Sequence, residues 1–128
     1  MGDYDKALEW YTRAKDIREQ VLGENHPDTA VSYNNIGLVY ASMGDYGKAL
    51  EWYTRAKDIH EQVLGENHPH TATSYNNIGG VYYSMGDFEK AQLYFEKSLA
   101  IEEKTLGDDH PYTKDTREWL EDVNNINK

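Results

Sequence analysis

The sequence contains no cysteine. That removes any disulfide framework, thiol nucleophile or cysteine-based zinc site, and leaves packing alone to hold the fold. It also lacks any apolar run near the roughly 18 residues a membrane span needs, and its mean hydropathy is −0.88. A membrane span and a secretory signal are thereby excluded, and the chain is expected to be soluble and cytoplasmic. Positive charge is scarce as well: 13 Lys and Arg face 23 Asp and Glu, for a net charge of −10. Binding phosphates needs clustered basic residues that release counterions, so nucleic acid and anionic lipid are poor partners. A neutral or mildly basic partner is easier to accept. The length of 128 residues suits one compact domain or a short stack of repeats.

What the sequence does have is a repeat. Shifted by 42 residues it matches itself, Gly2 to Met43 lying over Gly44 to Met85, with Gly86 opening a third copy. The first two copies differ only at Asp5/Gly47, Arg18/His60, Asp28/His70, Val31/Thr73, Leu38/Gly80 and Ala41/Tyr83. The third diverges after Pro111. Such self-similarity comes first in any reading, because each copy is one supersecondary unit.

Within a copy, Ala49, Trp52, Tyr53, Ala56, Ile59 and Val63 recur at spacings of three and four, opposite a stripe of Lys48, Glu51, Arg55, Asp58 and Gln62. That is an amphipathic helix. It opens where Gly44 permits a turn and Asp45 can cap free amides, with Asp3 and Asp87 at the equivalent starts, and closes near Leu64 and Gly65. A second helix starts at Pro69, a residue that loses nothing at the first helical position, with His68 or Asn67 as its cap. The pattern predicts six helices, at about 3–22, 27–42, 45–64, 69–84, 87–106 and 111–124, and no strand. Gly37 and Gly79 are expected where two helices approach closely, with Ala49 and Ala91 opposite them.

Tyr33, Ile36, Gly37 and Tyr40, followed by Ala49 and Tyr53, resemble the tetratricopeptide signature, and Tyr75, Ile78, Gly79, Tyr82, Ala91 and Phe95 repeat it. The 42-residue period, the Leu-Gly-x-x-His-Pro linker and the Asn-Asn pair resemble the longer repeats of kinesin light chain. The resemblance implies an all-α superhelix, a solenoid of stacked antiparallel helix pairs. On that reading 1–24 is a half repeat holding only a second helix, 25–66 and 67–108 are repeats, and 109–128 is a C-terminal capping helix.

The same resemblance implies a groove, lined by the first helix of each pair, that grips an extended peptide. Carried over by position, it would present Val31, Asn34, Asn35, Leu38 and Ala41 in one copy and Thr73, Asn76, Asn77, Gly80 and Tyr83 in the next. Three of the differences between copies fall on this face, whereas those at Asp5, Arg18 and Asp28 fit drift at exposed sites. The asparagines offer donors and acceptors to a peptide backbone. The alternative is that one of each pair bonds a neighbouring helix and fixes stacking. Neither 27–43 nor 69–85 contains Lys or Arg, unlike the tetratricopeptide domains that clamp acidic chaperone tails.

No enzymatic or metal chemistry is expected. His26, His68 and His110 hold the same repeat position before Pro27, Pro69 and Pro111 and read as caps, and no phosphate loop, His-Glu-x-x-His or nucleophile elbow occurs. No cofactor is expected. The expected role is a protein- or peptide-binding scaffold. The alternatives are a structural repeat that assembles through its ends and a regulatory module of a larger signalling protein.

The two ends differ. Gly2 begins in mid-unit and Met1 holds the position of Met43 and Met85, so Ala7, Tyr11 and Ala14 are expected to lack the cover their copies have. Helix 111–124 puts Lys114, Arg117, Glu121 and Asn124 where Ala72, Tyr75, Gly79 and Tyr82 stood, a solvated face that closes a stack. Weak self-association through the N-terminal helix follows.

Overall fold

The computed structural model describes residues 2–128; Met1, aligned above with Met43 and Met85, lies outside them. The helices are α1 (Gly2–Leu22), α2 (Pro27–Ser42), α3 (Tyr46–Ile59), α4 (Pro69–Met85), α5 (Phe88–Thr105) and α6 (Pro111–Ile126), with no strand among the described residues. They fall into two compact units, Met1–Val63 and Leu64–Lys128.

The helix ends follow the repeated capping signals. His26, His68 and His110 are the N-caps, and the Nδ1 of His68 accepts from the His70 amide at 3.0 Å, just ahead of Pro69. Asp45 and Asp87 cap the second helices, Asp87 Oδ1 accepting from the Lys90 amide at 3.2 Å. Asp3 differs: it lies inside the first turn of α1 rather than before it. Gly65 has φ of +90° and Gly86 of +83°, the left-handed turn that ends a helix at least cost without a Cβ. Buried Thr71 donates to the Gly65 carbonyl at 2.7 Å and ties that turn to the next helix.

One end departs from expectation. After Ile59, α3 widens into a π-helical turn, His60–Leu64, whereas the corresponding stretch of α1 stays α-helical to Leu22. Over these last turns the two differ only by Arg18 against His60, and His60 is turned inward and buried at the start of the widened turn.

In the first unit α2 packs on α1 and α3. Ala30, Tyr33, Ala56 and Ile59 form one buried cluster in it, with Trp52 against them. In the second unit α5 lies against α4 and α6. One cluster holds Ala72, Tyr75 and Ile101, and another holds Ala91, Phe95, Leu120 and Val123. The glycine contacts are tighter than expected and of another kind. A Cβ on Gly37 would stand 2.7 Å from the Tyr53 ring and 3.3 Å from the Ala49 carbonyl oxygen, and one on Gly79 would stand 2.9 Å from the Phe95 ring. Aromatic rings occupy the space the glycines leave, and the methyls of Ala49 and Ala91 are not the nearest groups.

Candidate functional site

In the second unit the outer face of α4 meets α5 and α6 around a cleft of about 390 Å³. The first helix supplies Thr73, Asn76 and Gly80, α5 supplies Phe95 and Glu102, and α6 supplies Tyr112, Asp115, Thr116 and Trp119. The spacing of three and four along α4 sets its three residues in one row. A Cβ on Gly80 would meet nothing within 4 Å, so the cleft is open at that point. Stacked rings make one wall, Phe95 lying 6.0 Å from Trp119 at an interplanar angle of 19°. Tyr83 meets Trp119 edge-on at 5.1 Å and extends the aromatic surface along α4.

The polar floor is built from Asn76, Thr116 and Glu102. Asn76 Nδ2 donates to Thr116 Oγ1 at 3.0 Å and to Glu102 Oε2 at 3.3 Å, so this side chain spans all three helices. Glu102 is only 2% exposed, and its Oε1 is buried and receives no hydrogen bond. Burial is the largest influence on its carboxyl and raises the pKa above the usual value, against lowering by Thr116, Ser98 and Asn76. Those neighbours are weak partners. Ser98 gives its proton to the Ala72 carbonyl at 3.0 Å, and Thr116 gives its own to the Tyr112 carbonyl at 3.0 Å. A carboxyl so enclosed lacks the donors that would satisfy its charge.

Of the residues named from the sequence, Thr73, Asn76 and Gly80 line this cleft and Tyr83 flanks it. The bonds of Asn76 give that member of the pair a stacking role. Neither involves Asn77, which is half-buried. In the first unit Val31 and Leu38 are exposed on α2, Asn34, Asn35 and Ala41 are half-buried, and Asn34 Oδ1 is buried without a hydrogen bond. Arg18, placed above among differences at exposed sites, is half-buried. Its guanidinium donates to Ser32 Oγ at 2.8 Å and to the Asp28 carbonyl at 3.1 Å, and its repeat position, next held by His60, is held by Glu102 in the cleft. Glu102, Tyr112, Asp115 and Trp119 were not reached from the sequence. The Arg18, His60 and Glu102 register was the one signal that could have found the first of them.

On α1, Ala7, Tyr11 and Ala14 are half-buried, whereas their copies Ala49, Tyr53 and Ala56 are buried. Ile17 is 62% exposed where its copy Ile59 is 5% exposed. No group of three or more residues able to hold a metal ion occurs among the described residues. No described helix is long and apolar enough to cross a membrane.

The profile of the family described as tetratricopeptide repeat matches residues 1–62 and 32–104. No curated protein matches the chain. Among solved structures, BtubC (BKLC) from P. vanneervenii is similar at 30% identity and a TM-score of 0.86, over 95% of this chain and 49% of that one. A putative kinesin light chain from Podosopora anserina with nearly identical TPR-like repeats, and a point variant of it, are each 24% identical with a TM-score of 0.85. They match 95% of this chain and 58% and 57% of their own, and at that identity the likeness is one of fold. The chain spans about half the length of the structures it matches.

Proposed function

The chain belongs to the tetratricopeptide repeat family, whose fold generally mediates protein–protein interactions, and from that premise we propose that it is a non-enzymatic scaffold that binds an extended peptide along α4. The observation that carries this is the open cleft beside α4, where Thr73, Asn76 and Gly80 come together under an aromatic wall. An extended peptide needs paired donors and acceptors for its backbone and recesses for alternate side chains. Asn77 is the amide assigned to the ligand, and Asn35 is its counterpart on α2. Gly80 and Tyr83 shape the recesses beside α4, and Leu38 is the residue of α2 at the repeat position of Gly80. The net charge of −10 favours a neutral to mildly basic ligand over an acidic one. The test is a peptide selected by display against the intact chain. Replacing Asn77 with Ala should weaken its binding by about 1 kcal/mol or more for a lost buried bond; unchanged affinity refutes the assignment.

The half-buried Ala7, Tyr11 and Ala14 of α1, with the exposed Ile17 beside them, support a second, weaker contact, with another copy of the chain. The same residues in α3 lie under α2, with Gly37 pressed on Tyr53, so this stripe is built to be covered by a helix. A two-fold pairing of α1 with its copy buries Ala7, Tyr11, Ala14 and Ile17 on both sides. Sedimentation should show mass rising with concentration for the natural chain and a monomer for Ile17→Glu. A natural chain that stays monomeric into the millimolar range refutes it.

A further inference from the structure

We propose that the cleft between α4, α5 and α6 is a subsite for one basic side chain, lysine or arginine, of the bound peptide, with Glu102 as the residue that selects it. This deepens the groove reading and rests on it. Three observations converge. First, the lining holds two carboxyl groups, Glu102 and Asp115, and no lysine or arginine. Second, Glu102 is almost fully buried, its Oε1 has no hydrogen bond, its Oε2 accepts from Asn76 at a long 3.3 Å, and the neighbouring Ser98 and Thr116 hydroxyls donate to backbone carbonyls. An ionised carboxyl in that state is short of donors, and an ammonium or guanidinium group arriving at the floor supplies both the donors and the countercharge. Third, the rim is aromatic, with Trp119 and Tyr112 both exposed. Their faces suit the methylene stem of a long basic side chain and attract its charged head.

The register of the repeat separates this subsite from its counterpart in the first unit. The position of Glu102 is held there by His60 in α3 and by Arg18 in α1, neither of them a carboxylate, and the Arg18 guanidinium is already engaged by Ser32 and the Asp28 carbonyl. The selection therefore belongs to the second unit, and a peptide would carry its basic residue at one defined place.

Blocked alanine pentapeptides with a single central lysine, arginine, norleucine or glutamate test this against the full chain. The readout is the NMR shift of the Trp119 indole N–H and of the Asn76 and Asn77 side-chain amides. The lysine and arginine peptides should move the Trp119 and Asn76 signals and bind roughly tenfold or more tighter than the norleucine peptide, as a charge-assisted bond implies. Glu102→Gln, which keeps the shape, should bring them down to the norleucine level. Asp115→Asn, at an exposed site that cannot disturb the core, should cause a smaller loss. Equal binding of the lysine and norleucine peptides, or undiminished preference in both variants, overturns the subsite and leaves the groove standing. No shift at Trp119, Asn76 or Asn77 with any peptide overturns both.

Discussion

Alanine at Gly79 and alanine at Gly80 should have opposite effects although the residues are adjacent in α4. Any Gly→Ala change inside a helix gains about 1 kcal/mol from reduced backbone entropy in the unfolded chain. At Gly80 nothing lies within 4 Å of the added methyl, so the full gain of roughly 1 kcal/mol should appear. Leu38 at the same position of α2 shows that the site accepts a larger side chain. At Gly79 the methyl would stand 2.9 Å and 3.0 Å from two ring atoms of Phe95. That ring is buried and stacked on Trp119, so moving it aside would break that stack. Overpacking of this kind costs about 1–3 kcal/mol, which offsets or exceeds the helix gain. The two variants should therefore differ by about 1–3 kcal/mol, or roughly 3–10 °C in Tm for a chain of this size. Thermal unfolding followed by circular dichroism measures this. A double-mutant cycle of Gly79→Ala with Phe95→Leu should show coupling of about 1 kcal/mol, because the smaller side chain makes room. If Gly79→Ala is as stable as Gly80→Ala, or is uncoupled from Phe95, the close-approach argument is wrong.

Two further predictions concern stability. His68→Ala removes the acceptor that holds the His70 amide and should cost about 1 kcal/mol, and His68→Asp should restore most of it; equal Tm values for all three chains would remove the capping role. The second concerns alkaline pH. Burial pushes the Tyr53 phenol up to about 12 from its ordinary 10.0, and burial, helped by the Glu19 carboxylate that its hydroxyl bonds, pushes Tyr33 up as well. A raised phenol pKa means that the fold favours the protonated form. This stability is fully present below about pH 10 and is lost as pH rises through the folded-state value. Tyr53→Phe, which puts at this position the residue found at Phe95, should retain about 1 kcal/mol more stability than the natural chain near pH 11, relative to pH 9. Parallel decline of the two would assign the alkaline loss elsewhere.

The helix ends were readable from the sequence because they rest on local chemistry that recurs in register: the His-Pro starts, the Asp caps and the Gly stops. The π-helical turn at His60–Leu64 was not, since the same stretch of the first copy, identical but for Arg18 in place of His60, stays α-helical. The close approach at Gly37 and Gly79 was anticipated, but the rings of Tyr53 and Phe95 that fill it depend on how two helices cross. The α4 side of the cleft was legible by comparing copies, as Leu38 against Gly80 and Ala41 against Tyr83 mark a face that varies. The α6 side was hidden because the third copy leaves the register there: Trp119 stands where Asn77 would be. Glu102 was in register with Arg18 and His60, but its burial arises only when α6 closes over α5.

The most direct test of peptide binding along α4 is to fill the cleft and measure binding of a display-selected peptide. Gly80→Trp projects a large ring from the open point of the cleft, whereas Leu93→Trp places the same ring at an exposed position of α5 that is not part of the cleft. With both variants folded by circular dichroism, Gly80→Trp should weaken binding at least about tenfold, the loss of one well-made contact, and Leu93→Trp should leave it unchanged. Binding that survives Gly80→Trp and falls with Leu93→Trp would place the ligand on another face and contradict the account.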